Sequence, residues 1–257
     1  MKKSDSAMDN QSVNQTDILD LKGLKEDEKT GAAPKSREWM AYCVPMILFT
    51  VFTALEGELP KYFPILKGQY PGIYCVKALV VTAALFYYRS VLTEVQYYKK
   101  LLLPAVVMGI VACAAWVLID TYVPYPHLGE RTAYNPFVEI PYSPLRYFFL
   151  AVRFYGLVLM VPIMEEMFWR AFLLRYISDM DNFKSVPLNH FSINAFLAVA
   201  GLFGLAHPEW LVAILFSVAA NFLLKKTKSV FACIVFHATT NLALGIYVMV
   251  SHNWKYW

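Results

Sequence analysis

Charge is what this chain has least of. Asp, Glu, Lys and Arg make up 16% of its 257 residues, and apolar types make up 58%. Ordinary soluble domains carry about 25% charged and roughly 45–50% apolar residues. With a mean hydropathy of +0.44, the balance excludes a soluble globular domain and indicates a polytopic membrane protein. Cysteine is sparse too. Cys43, Cys75, Cys113 and Cys233 are scattered, lie in or beside apolar runs, and show no CxxC spacing. They read as buried free thiols, which sets aside a disulfide framework and a zinc–thiolate site. No basic block is interleaved with aromatics, so nucleic acid is not a partner, and the net charge of +4 is ordinary. No apolar core opens the chain as in a secretory signal peptide, and neither end carries a lipidation motif. No internal repeat is visible, which weakens an inverted-repeat transporter.

What the chain does have is apolar runs. Residues 1–38 form a polar stretch of mixed charge and read as a disordered tail. Residues 39–257 read as a transmembrane domain whose motif-bearing core covers about 145–250. A spanning helix needs roughly 20 mostly apolar residues. Candidates are Trp39 to Leu55, Ile73 to Tyr88, Leu101 to Ile119, Leu145 to Met164 continuing to Ile177, Phe191 to Ala206, a short Trp210 to Leu224, and Val230 to Val250. The expectation is an all-α transmembrane bundle of about seven to eight spans. Aromatics at the edges, Trp39, Tyr87, Tyr88, Trp210, Trp254 and Trp257, suit interfacial belts. The proline-rich connection from Asp120 to Pro144 reads as an ordered cap or re-entrant segment. Lys and Arg clusters fall on one side of seven spans, which puts the N-terminus inside.

Within the fourth run sits Glu165-Glu166-Met167-Phe168-Trp169-Arg170. A charge at mid-bilayer costs about 2.5–3.5 kcal/mol on translocon scales, and such charges face a bundle interior or wet cavity and mark function. Glu166 and Arg170 are four apart and share a helix face, so they can pair. Glu165 points roughly 100° away, which leaves it available for chemistry. Phe203 to His207 ends the fifth run, and His237 with Asn241 forms another four-spaced pair in the seventh. Convergence on one pocket is expected. His237 lies roughly 12 Å into its helix, so the fifth must start earlier or tilt, or the sixth must be short and re-entrant. His127, His190 and His252, with Glu56 and Glu58, are expected to face solvent.

A carboxylate in an apolar pocket can serve as general base for water. A histidine on a facing helix can hold that water. A second histidine with an asparagine one turn on can donate to an oxyanion, a contribution worth about 10²–10³ in rate. Either Glu165 or Glu166, with His207, His237 and Asn241, fills these roles. Metal binding is the rival chemistry. HExxH and the Glu-x-x-His spacing of di-iron bundles are absent, and an adjacent arginine disfavours a cation, so no cofactor is expected. An ion-coupled transporter or proton-relay protein, or an inactive scaffold or immunity protein, is the alternative from another class.

EExxxR, then FxxxH, then HxxxN on successive apolar helices resembles the CPBP family. These are the CAAX-processing and bacteriocin-processing intramembrane proteases, also called glutamic or Abi-type, and the resemblance covers roughly the C-terminal half. It implies Glu165 as the water-activating base, Glu166 and Arg170 as a supporting pair, His207 as its partner, and His237 with Asn241 on the oxyanion side. It further implies an intramembrane endopeptidase acting on membrane-associated peptides, prenylated ones in eukaryotes and varied ones in bacteria. The segment with Gly129-Glu130-Arg131 and Asn135-Pro136 resembles bacterial members associated with exosortase-type sorting. A bacterial cell membrane is the expected location.

Overall fold

The apolar runs become helices because hydrocarbon offers no partner for an unpaired peptide group, so each spanning segment must satisfy its backbone internally. The computed structural model describes residues 38–63, 68–129 and 133–257. The expected tail therefore lies outside the described residues, apart from Glu38. Glu130 and Arg131 of the connection lie outside them as well. Among the described residues the main helices are α1 (Met40–Tyr62), α2 (Tyr70–Tyr87), α3 (Lys99–Tyr122), α4 (Ser143–Ser178), α5 (Ile193–Leu205), α6 (Trp210–Thr227) and α7 (Val230–Ser251), and no strand is present. Six are long and apolar enough to cross a membrane. The exception is α5, whose 13 residues reach only about 20 Å at 1.5 Å per residue.

Two expectations need correction here. The sixth run is not short, since α6 has 18 residues. The short element is the fifth, and its early end is what drops His207 inside the bundle. The Trp257 ring is not interfacial but buried at 5% exposure, against Phe154. The C-terminal turn folds back onto the bundle because Asp120 draws it there. That carboxylate accepts from Tyr125, Lys255 and Tyr256, and meets His127 Nε2 at 2.7 Å. His127, expected in solvent, is thus half-tethered. Burial first, and then the bond to Asp120, hold the Tyr125 hydroxyl above its ordinary titration range, so it remains a donor.

The connection after α3 does form a cap. Leu128 N–H donates to the Pro208 carbonyl, and the Trp210 indole donates to the Pro126 carbonyl. It therefore pins the turn that carries His207. Hydroxyl caps start the last helices: Ser192 accepts from Ala195 N–H, and Ser229 from Ala232 N–H. Lys228, in the left-handed region at φ 57°, closes α6 and lets α7 reverse after two residues.

The most extensive helix contact is α3 on α7. It is close because Gly109 has no side chain there, and its carbonyl accepts from Thr240 Oγ1 at 3.1 Å. A Cβ at 109 would lie 2.6 Å from the Phe236 carbonyl oxygen and 2.7 Å from Thr239 Cβ. Backbone cannot give way as a side-chain tip can. Gly109→Ala is therefore expected to destabilise the protein by about 1–3 kcal/mol, read as a lower unfolding temperature in detergent. An unchanged temperature would show that α3 and α7 are not locked together.

Candidate active site

The site is built on α4, a 36-residue helix interrupted twice by π-helical stretches, Gly156–Met160 and Met167–Leu173. Pro162 explains the first. It has no N–H to donate one turn back, so the ladder widens. Arg153, Leu157, Val161, Glu165 and Trp169 are spaced by four and all line one cavity. In a regular α-helix each four-residue step drifts about 40°, so Arg153 and Trp169 would face nearly opposite ways. The π stretches, at about 4.4 residues per turn, drift in the other direction and cancel this. The widened turns thus keep one face of α4 on the cavity along its length.

The two adjacent glutamates have different fates. Glu166 is fully buried and acts as a hub. Arg170 Nη1 donates to its Oε1 at 3.3 Å, and Arg170 Nε lies 3.2 Å from its Oε2 as an ion pair. His237 Nδ1 lies 2.7 Å from Oε1. Arg170 in turn donates to Ser217 on α6 at 3.3 Å and sits 4.9 Å from the Phe203 ring centre on α5. One buried ion pair thereby joins α4 to α5, α6 and α7. Glu165 makes no hydrogen bond through its buried Oε2, and its side chain lines the cavity. It lies within electrostatic reach of His237, Glu166 and Arg170.

The histidines are oriented by what their Nδ1 atoms meet. A carbonyl and a carboxylate only accept, so His207 Nδ1–H donates to the Phe203 carbonyl at 2.7 Å, and His237 Nδ1–H donates to Glu166. In the neutral rings Nε2 is then the acceptor. His207 stacks on Phe203 with centroids 4.5 Å apart. Phe203 stacks on Phe216, and Phe216 meets the His237 ring edge-on at 5.0 Å. Asn241 Nδ2 donates to the Leu157 carbonyl at 2.9 Å, a carbonyl in the first π stretch. Its amide therefore also braces α7 against α4.

Glu165, His207, His237 and Asn241 line the same cavity of about 630 Å³. The six motif residues are thus brought together, as expected. Several partners were not foreseen. Trp116 lines the cavity and meets His207 edge-on at 6.0 Å. Ser217 holds Arg170, and the one signal for it was a small hydroxyl inside an apolar run. The Glu166–His237 contact joins residues 71 apart in sequence and left no local signal. Among the described residues no group of three or more His, Cys, Asp or Glu side chains is arranged to hold a metal ion.

By fold the chain is an integral membrane protein, all-helical among the described residues, with a largely apolar cavity into which a few polar side chains are set. Residues 147–243 match the model of the Rce1-like family, described as type II CAAX prenyl endopeptidase Rce1-like. The family is that of CAAX endopeptidase-type proteases, and the match contains all six motif residues, which bears out the resemblance drawn from the motifs. Searches of curated proteins and of solved structures gave no match.

Proposed function

We propose that the protein is an intramembrane endopeptidase in which Glu165 activates water against a peptide carbonyl. The observation that carries this reading is one cavity lined by Glu165, His207, His237 and Asn241, drawn from α4, the turn after α5, and α7. Glu165 takes a proton as water oxygen bonds to the carbonyl carbon, and the carbonyl becomes an oxyanion. His207, through the Nε2 its Phe203 bond leaves as acceptor, holds the water in line. His237, oriented by its bond to Glu166, donates Nε2–H to the oxyanion when its ring is doubly protonated, and Asn241 lies on the same side. Glu165 then returns the proton to the leaving nitrogen as the C–N bond breaks, giving an acid and an amine. Glu166–Arg170 orients the catalytic helix. The substrates are membrane-associated peptides, prenylated or bearing a sorting signal, and the setting is a bacterial cell membrane.

The purified protein in lipid nanodiscs, incubated with isoprenylated and plain C-terminal peptides, is expected to release fragments detectable by mass spectrometry. No cleavage of any peptide would overturn the reading. Cleavage is expected to survive dialysis against EDTA and 1,10-phenanthroline. Loss on chelation with recovery on adding zinc would replace glutamate-activated water by metal-activated water.

A further inference from the structure

The end of the bundle where α1 begins carries a second pocket, of about 420 Å³, that shares no lining residue with the cavity around Glu165. Its volume lies within the roughly 300–1,000 Å³ of small-molecule sites. Its walls come from the α2–α3 connection, from α4 and the segment after it, and from the turn between α6 and α7. The charged side chains that line it are Glu94, Arg175, Lys184 and Lys228. Glu94 is the one acid among the described residues of that lining, and both its oxygens are engaged. Tyr42 donates to Oε1, and Arg175 Nη2 donates to Oε2 at 2.6 Å. The carboxylate thus offsets Arg175, which is itself buried.

The lysines are not offset in this way within the lining. Lys228 is exposed and, among the described residues, has no carboxylate partner. It is also the residue that closes α6 in the left-handed region, at φ 57°. Glycine takes that conformation without steric cost. A lysine there strains the turn slightly and supplies the pocket with an ammonium group. The hydroxyls nearby are spent on the protein. Thr93 donates to the Ser90 carbonyl, and Ser229 Oγ accepts from Ala232 N–H. Tyr98 donates to the Gln96 amide oxygen at 2.6 Å, which leaves the Gln96 amide N–H groups as donors. Two ammonium groups and an amide call for a ligand that only accepts and carries negative charge. Depth in the membrane narrows the choice. Tyr87, Tyr97, Lys99, Lys100 and Lys226 are all exposed at this end, and tyrosines and basic residues gather where headgroups lie. The abundant acceptor-only anion at that level is phosphate, which lysine binds as a point charge.

We propose that this pocket binds an anionic phosphate group, with Lys184 and Lys228 as its cations and the Gln96 amide as a neutral donor. A lipid headgroup and a free phosphate share that chemistry. The site is separate from the hydrolytic one and does not depend on it. Occupied, it ties three connections together at one end of α4, the helix that carries Glu165.

The test titrates short-chain phosphatidic acid, short-chain phosphatidylcholine and inorganic phosphate into the full chain in a non-ionic detergent, with the unfolding temperature read at each concentration. Phosphatidic acid is expected to reach half its effect at a concentration about tenfold below that of phosphatidylcholine. Lys228→Gly is expected to weaken the phosphatidic acid response about fivefold, the share of one basic residue near an anionic membrane surface. Because glycine suits the left-handed turn, the same variant should unfold no lower than wild type without ligand. Lys228→Arg should keep most of the affinity. Lys99→Gln and Lys226→Gln, at the same end but outside the lining, should keep it too. A response to phosphatidic acid and not to inorganic phosphate assigns the site to a lipid headgroup; similar responses to both assign it to a soluble phosphate. Equal responses to phosphatidic acid and phosphatidylcholine overturn the proposal. So does an equal loss in Lys99→Gln and Lys228→Gly, which would mark attraction to the whole basic face and not a pocket.

Discussion

Glu165→Gln is expected to lower the rate of peptide cleavage by about 10²–10⁴-fold, the range that a positioned general base contributes. Glutamine keeps the shape of glutamate but cannot take the proton from water. The change should leave the fold intact, because Glu165 Oε2 makes no hydrogen bond and the residue lines the cavity. Glu166→Gln offers the contrast. It weakens the pairing with Arg170 and the bond to His237 together, so activity and thermal stability should fall in step. The check is turnover of one peptide beside the unfolding temperature of each variant. Cleavage at the wild-type rate by Glu165→Gln would move the base to Glu166 or end the mechanism.

Arg170→Met is expected to cost about 3–5 kcal/mol of stability, the usual effect of removing one partner from a buried ion pair. Arg170 and Glu166 are both fully buried. Methionine fills much of the arginine's volume but leaves the Glu166 charge facing only His237, and leaves Ser217 without its donor. The loss therefore comes mainly from a stranded anion rather than from a cavity. The double variant Glu166→Gln/Arg170→Met should then be less damaged than the two single losses combined, since no lone charge remains. Arg170→Lys should fall between, because an ammonium cannot reproduce the fork that reaches Glu166 and Ser217 at once. Unfolding temperatures in one detergent would decide it. A wild-type value for Arg170→Met would show that the pair does not hold α4 to its neighbours.

Much of this architecture was legible beforehand. The seventh helix was expected at Val230 to Val250 and runs Val230–Ser251; the sixth shares its start at Trp210. Apolar length sets such bounds, because the chain must cross hydrocarbon with its peptide groups paired. The different surroundings of the two glutamates were legible as well. Glu166 and Arg170 share a face by helix geometry alone, and Glu165 is turned away. The length of α5 was misjudged, since its apolar run continues to Ala206 while the chain turns. Glu56 was misread: its Oε2 lies 2.6 Å from Lys77 Nζ on α2, but an acid at the end of a span usually meets water, and nothing local announces a lysine on the next helix.

From residue order alone came the helices, the lipid setting and the six polar groups of the site, because each depends on periodicity and hydrophobicity within a few turns. Packing supplied the rest. The π stretches that keep Arg153 and Glu165 on one wall, the Glu166 bridge to His237 and the Asn241 brace on Leu157 all arise between helices distant in sequence or along a widened helix. Each depends on how close two helix faces come and at what rotation, and small residues such as Gly109 set that closeness only once their neighbours are in place.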